Sequence, residues 1–479
     1  MSLNLKEIID VFRKRYASSI LFWIILFFIL RLFNITSAPI EIAHNWRQAF
    51  TNTVARNFFD IDNNIFFPKA VIFGNNSGIV GTEFPLLNYI IYIFAKMFGY
   101  DHWYGRLINL IVSSIGIYYF YKIVFKFLKS TIAFNATIVL ICSLWFVFSR
   151  KSMPDTFSIS IVFIGLYFGL NFLYEKGAKN LILFIVFTSI GILCKIPGLF
   201  FLCVFVFPFF DSRVELKTRI LFVLGTCIVL VPVLLWYFRW VPYLDSIEGN
   251  RLYFPRTLKE GILEVVSNIG LTAEKFYFSS LQSYVAFFMF LAGLFFMFKS
   301  RNKKIILTFA LLTFVFFIFI LKTGIVFPLH SYYVIPYTPI MCVLVAYALD
   351  QIQNKRLFGF VFILIIAESI ANQQNDFFIK KDQLYKLELE SIADKVSDRN
   401  DLIAINGGES PQLIYFAHRN GWRATEGELS NADFINSIRS KGCKYIFLDK
   451  HILKNPGLNS SLKTLYNDEN FIIYSLITN

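Results

Sequence analysis

Between residues 18 and 371 the chain alternates long apolar runs with short turns rich in lysine and arginine. Runs such as Ser18 to Phe33, Ile220 to Tyr237 and Ile305 to Leu321 approach the ~20 residues that a helix needs to cross a hydrocarbon core. The pattern predicts about eleven spanning helices, near 18–34, 106–122, 130–148, 156–174, 181–194, 197–210, 220–237, 283–298, 305–321, 332–349 and 357–371. The run Phe84 to Phe98 is short for a span, and the charges decide its place. If it crossed, the turns holding Lys122, Lys126 and Lys129, and Lys299, Arg301, Lys303 and Lys304, would face outside, against the positive-inside rule. It is read instead as a helix lying on the external surface, within a first external loop over 35–105. The N-terminus, with Lys6, Arg13, Lys14 and Arg15, then lies in the cytoplasm ahead of an uncleaved first span. An odd number of spans places the C-terminus outside.

Two further segments break the apolar pattern. The stretch 239–282, with Arg251, Arg256 and Lys259 among aromatic residues, is too long for a turn; it is expected to hold surface helices and is a candidate lid. From about Gln373 the chain turns polar. Strand-like runs at Asp401 to Asn406, Leu413 to Phe416, Tyr445 to Asp449 and Phe471 to Ile477 surround a helix-like Asn431 to Lys441. The expected organisation is a membrane module over 1–371 and a small external (periplasmic) α/β domain over 372–479.

Composition agrees with the pattern. A chain of 479 residues that is 56% hydrophobic, with a mean hydropathy of +0.58, has too little polar surface to cover a soluble globule. Its formal charge of +14 would suit nucleic acid, yet the cations sit at the ends of apolar runs and form no basic stripe with interleaved aromatics. Nucleic acid is therefore excluded as a partner. Five of the six cysteines, Cys142, Cys194, Cys203, Cys227 and Cys342, lie in apolar runs without CxxC spacing, and Cys443 lies outside them. Neither a disulfide framework nor a zinc knuckle follows.

Ionisable residues cluster at span ends on the expected external side, where they are costly. In a predicted helix from about His44 to Phe58, His44, Arg47, Gln48 and Thr51 share one face, while Trp46, Phe50 and Val54 point elsewhere. That face is either a solvated edge or a polar edge toward a cavity; Arg56 is evenly balanced. Glu83 precedes the Pro85 helix, and Asp155 follows Pro154 at a span entry, so each is a helix cap or a site carboxylate. Lys195, between apolar runs, either snorkels or holds a lipid-linked phosphate. His330, Ser331, Tyr332 and Tyr333 open another span, as part of an interfacial tyrosine belt or of the site.

These elements, in this order, resemble the C-type (GT-C) glycosyltransferases, polytopic enzymes that include the protein O-mannosyltransferases and the lipid A aminoarabinose transferase. The resemblance rests on Ala55, Arg56, Asn57, Phe58; on Glu83, Phe84, Pro85, Leu86, similar to a Glu-Lys-Pro-Pro-Leu motif; and on Gly105, Arg106, Leu107. It continues through Met153, Pro154, Asp155, Thr156; Cys194, Lys195, Ile196, Pro197; and His330, Ser331, Tyr332, Tyr333. It implies inverting transfer of a sugar from a polyprenyl-phosphate donor to a glycan, lipid or protein acceptor, outside the cytoplasmic membrane of a bacterium. One departure stands out: the family's acidic motif at the start of the first-loop helix is replaced by His44, Asn45, Trp46, Arg47, with Glu41 just upstream.

On this resemblance His44, Glu41 and Glu83 compete as the general base, and Asp155 and Glu83 position the sugar or acceptor. Lys195, Arg47 and Arg106 hold the donor phosphate. Gln48, His330, Tyr332, Arg251 and Arg256 are further cavity candidates. A divalent ion held by His44 with Asp155 or Glu83 is conceivable, but no spacing is diagnostic. The rival reading is a transporter or flippase of a lipid-linked saccharide; the internal repeats and broken helices typical of transporters are missing from the pattern.

Overall fold

The computed structural model describes residues 18–41, 44–248, 255–455, 457 and 459–477. The predicted cytoplasmic N-terminal segment, residues 1–17, and Arg251 lie outside the described residues. The chain divides into two compact units: one takes in Met1–Ile35, Arg106–Phe238 and Tyr253–Phe377, the other Thr36–Gly105, Arg239–Leu252 and Phe378–Asn479.

The first unit is helical. Each predicted span falls on an apolar helical segment, from Ile20–Arg31 to Lys355–Gln373. Among the described residues five helical stretches are long and apolar enough to cross a membrane: Tyr104–Phe127, Pro154–Glu175, Leu216–Ile247, Lys303–Thr323 and Lys355–Val396. A sixth arises if the bent pair Ile269–Ser279 and Tyr284–Lys299 counts as one span. The other predicted spans are shorter apolar helices such as Ser130–Cys142 and Thr338–Leu349, so helix length does not by itself yield eleven.

Polar contacts sort the helix ends of this unit into two groups. Lys126 meets Glu175 (3.1 Å), Lys129 meets Asp350 (2.9 Å), Lys176 meets Glu215 (2.6 Å) and Tyr174 reaches Asp211 (3.5 Å). Such exposed pairs add little stability, but they show that the basic turns gather at one end. At the opposite end of the same helices lie Lys195 with Asp155 (2.9 Å) and Lys151 with Asp376 (3.1 Å).

The helix Pro154–Glu175 starts for local reasons: Met153 is extended, Pro154 occupies the first turn and Asp155 faces the positive helix end. It folds back on Ala178–Cys194 through Lys176 and Gly177, both at positive φ (61° and 91°). The two helices press together at small residues, as lipid-embedded helices do. A Cβ on Gly165 would lie 2.2 Å from Thr188 Oγ1, and one on Gly191 would lie 2.8 Å from the backbone nitrogen of Val162. Arg31, which the sequence pattern passes over, is wholly buried. Its Nε donates to Phe27 O (3.0 Å), Nη1 to Ser149 Oγ (2.6 Å) and Nη2 to Ser114 Oγ (3.3 Å), tying the first helix to its neighbours.

The second unit is built on a five-stranded sheet in the order β2-β1-β3-β5-β4, with β1 Leu402–Ile405, β2 Asn420–Arg423, β3 Cys443–Asp449, β4 Lys463–Asn467 and β5 Phe471–Ser475. The first three strands are parallel; β5 pairs antiparallel to both β3 and β4. Three predicted strands and the predicted helix, here Ala432–Ser440, have counterparts. Leu413 to Phe416 is a correction: it lies in the helix Gln412–Ala417. Its residues are buried on every side, so it shows no amphipathic period, and a short apolar run is ambiguous between strand and buried helix.

The first-loop helix runs Asn45–Asp60 with His44 as its N-cap in the left-handed region (φ 59°). It is not a solvated surface helix: every residue from Arg47 to Phe58 is buried. Phe50, Val54 and Phe58 share a core with Ile403, Ile405, Phe447 and Ile473 of the sheet. The helix Leu86–Phe98 packs beside it through Leu87, Ile91, Tyr92 and Ala95 and leaves Ile93, Met97 and Phe98 exposed. Its 13 residues span roughly 20 Å, short of the ~30 Å hydrocarbon core, and its one-sided burial suits a helix lying in an interface. The segment 239–282 contains helices Val241–Glu248, Leu258–Ser267 and Ile269–Glu274.

Replacing Gly191 by Leu should wedge the hairpin of Pro154–Glu175 and Ala178–Cys194 apart. Thermal unfolding of the detergent-purified protein should show a loss of about 2–3 kcal/mol, typical of overpacking; an unchanged midpoint would mean that the two helices do not depend on close approach.

Candidate functional site

In the second unit the first-loop helix brings five of the predicted residues together. Arg47 pairs with Glu83, whose other oxygen accepts from Thr82 Oγ1 (2.8 Å). One turn into the helix, Gln48 Nε2 donates to Glu41 Oε1 (2.5 Å), and the Gln48 amide donates to His44 O (3.2 Å). Glu41, Arg47 and Gln48 are all buried, so the carboxylates sit where charge must be answered by a donor. Trp46 stacks on Phe50 (5.6 Å between ring centres) and donates to the carbonyl of Glu409 (2.7 Å). On the face expected for His44, Arg47, Gln48 and Thr51, Arg47 is engaged by Glu83 and Gln48 by Glu41, while the Thr51 hydroxyl donates back to Arg47 O (3.0 Å).

In the first unit, the Pro154 helix start and the break after Cys194 bring Asp155 and Lys195 within 2.9 Å. Lys195 leaves the helix in an extended conformation (φ −163°), which turns its side chain out of the ladder. Its ammonium lies over the rings of Tyr332 (5.2 Å) and Tyr333 (5.6 Å), and His330 stacks on Tyr332 (5.3 Å). Asp155 is buried, and its Oδ2 has no hydrogen-bond donor among the described residues. A buried acceptor left in that state is costly unless a ligand supplies a donor. Arg106 is buried near the start of the helix Tyr104–Phe127. Arg256 stands apart, paired with Glu264 (3.1 Å).

Sequence reasoning weighs Arg56 evenly and overlooks His102. In the second unit Arg56 is sandwiched between the rings of Tyr100 (4.5 Å) and Tyr415 (4.7 Å) and donates to Tyr415 O (3.1 Å). The Tyr415 hydroxyl meets His102 Nδ1 (2.6 Å) and Tyr100 Oη (2.9 Å). Burial, aided by the charge of Arg56, pulls His102 down to about 4. Glu390, 3.6 Å from Arg56, is pushed up by burial, but the His418 hydrogen bond and the Arg56 charge outweigh this and hold it at about 2. Nothing local in the sequence marks this network, because Tyr415 lies more than 300 positions from Arg56, Tyr100 and His102. No group of three His, Cys, Asp or Glu side chains able to hold a metal ion occurs among the described residues, so they offer no three-ligand protein cage for the divalent ion considered above.

The sequence model of the dolichyl-phosphate-mannose-protein mannosyltransferase family matches residues 82–237, a stretch that contains Glu83, Arg106, Asp155 and Lys195. The structure of ArnT from Cupriavidus metallidurans bound to undecaprenyl phosphate is similar over 95% of this chain and 98% of that one, with a TM-score of 0.60 at 13% identity. The chain has the fold of that structure. The Archaeoglobus fulgidus oligosaccharyltransferase, in complex with Zn and sulfate, shares it with a TM-score of 0.58 at 12% identity, over 90% of this chain and 68% of that one. No curated protein matches by sequence. The family match covers about a third of the chain, and the structural likeness extends over nearly all of it.

The His102 network should make the second unit acid-sensitive. Unfolded His102 titrates near 6.5, and folding depresses it, so its contribution is full above that pH and is lost as pH falls toward 4. Glu390, depressed from 4.5 to about 2, adds a further loss only below about 4.5. Hydrogen-exchange protection factors of peptides covering 100–104 and 412–418, each rate taken relative to the intrinsic rate at that pH, should fall between pH 6.5 and 4, and His102→Gln should flatten that window alone. An unaltered pH profile in the variant would assign the effect to another group.

Proposed function

We propose that this protein transfers a sugar from a polyprenyl-phosphate-linked donor to a glycan, lipid or protein acceptor, with inversion, on the external face of a bacterial cytoplasmic membrane. The observation that carries the reading is the pair of buried Asp155 with half-buried Lys195 beside Tyr332 and Tyr333, with Asp155 Oδ2 unpartnered among the described residues. A cation drawn out of water in such a place needs a carboxylate close by. Lys195 can then share its charge with the phosphate that departs from the anomeric carbon, while Asp155 Oδ2 accepts from a sugar or acceptor hydroxyl. Arg106, in the same unit, is a further proposed phosphate ligand, and Arg47, in the other unit, remains a third candidate.

The displacement needs a base for the acceptor proton. His44, Glu41 and Glu83 fill that role as alternatives: the proton leaves the acceptor oxygen as it bonds to the anomeric carbon, and the bond to the phosphate oxygen breaks. The undecaprenyl phosphate bound to ArnT, which shares the fold, favours a polyprenyl donor here.

Purified protein given radiolabelled polyprenyl-phosphate sugars and candidate acceptors should release labelled product. Donor that crosses vesicles without sugar transfer would favour a flippase. His44→Ala, Glu83→Gln and Lys195→Ala should each insert normally and lower turnover by roughly 10²–10³-fold or more, as loss of a transition-state contact does; full activity in all three would remove the assignment. A reporter fused after residue 371 should read as external, and a cytoplasmic signal would invert the proposed working face.

A further inference from the structure

The helical unit contains a cavity of about 530 Å³ that the proposed transfer chemistry does not use. Its walls include Phe163, Phe201, Phe207 and Leu312, and its rim carries Lys126, Arg213 and Lys304. Phe163 and Tyr174 both line it and lie about 16 Å apart along their helix, at 1.5 Å per residue. Asp155 lies a further ~12 Å beyond Phe163, toward the other end of that helix. The cavity therefore occupies the half of the unit where the basic turns gather.

Its chemistry is two-sided. The wall is aromatic and aliphatic, and the volume is within the ~300–1,000 Å³ usual for small-ligand cavities. At the rim, Asp211 accepts from Arg213 (2.8 and 3.0 Å), Lys126 pairs with Glu175 (3.1 Å), and Lys304 is close enough for its charge to act on Asp211. Three cations against Asp211 leave the lining net positive. A purely apolar ligand would have no use for that rim, and a free anion no use for the wall.

We propose that this cavity seats an acyl chain of an anionic phospholipid from the adjoining leaflet, with its phosphate on Lys304, Lys126 and Arg213. Basic pockets between spanning helices select anionic headgroups in this way. The proposal rests on the membrane reading and is independent of sugar transfer.

Native mass spectrometry of the delipidated full chain, titrated with phosphatidylglycerol and with phosphatidylcholine of the same chains, tests it. One phosphatidylglycerol should bind at roughly tenfold lower concentration than phosphatidylcholine, and Lys304→Glu, at an exposed position, should abolish that preference. Val343→Trp, which narrows the cavity without touching its charge, should weaken both lipids. Equal affinity for the two lipids overturns the proposal, as does an undiminished preference in Lys304→Glu with wild-type thermal stability. Displacement of the bound phosphatidylglycerol by undecaprenyl phosphate, persisting in Lys195→Ala, also overturns it, by assigning the cavity to another lipid. If Val343→Trp fails to fold, the Lys304→Glu result decides.

Discussion

Removing a cation from water costs several kcal/mol unless something close by answers it, and both units are organised around that requirement. In the helical unit Arg31 is answered by two serines and a helix carbonyl, Lys151 by Asp376, and Lys195 by Asp155 and two tyrosine rings. In the second unit Arg47 is answered by Glu83, and Arg56 by two aromatic faces and a carbonyl. Each answer binds elements distant in sequence, so the same contacts that make the charges tolerable also fix the fold.

The answers differ in what they leave over. Arg31 uses every part of its guanidinium on neutral oxygens, and its position is structural. Asp155, by contrast, satisfies Lys195 with one oxygen and keeps the other unpartnered among the described residues. Such an incompletely satisfied polar group is a poor structural device and a useful chemical one, which is why the proposed function is anchored there.

Much of this is legible in the sequence, for physical reasons. Apolar runs such as 305–321 announce helices because lipid demands internal backbone hydrogen bonding, and Asp155 and Lys195 stand out because ionisable groups beside such runs are expensive. The burial of the His44 helix is not legible: its polar face reads as either a solvated edge or an edge toward a cavity, whereas Glu83 and Glu41 engage Arg47 and Gln48 internally. Leu413 to Phe416 reads as a strand because complete burial erases periodicity. His102 escapes notice because its lowered basicity comes from burial and from Arg56, and its ring is held by Tyr415, neighbours in space alone.

The core shared by Phe50, Val54 and Phe58 with Ile403, Phe447 and Ile473 has a consequence for biosynthesis. At about 5–20 residues per second, the ribosome delivers the first sheet partner roughly 20–70 s after the loop helix has emerged. Throughout that interval the helix bearing Arg47 and Gln48 lacks the packing that buries it. The unit that carries these residues is therefore completed last, after the membrane helices between them have been made.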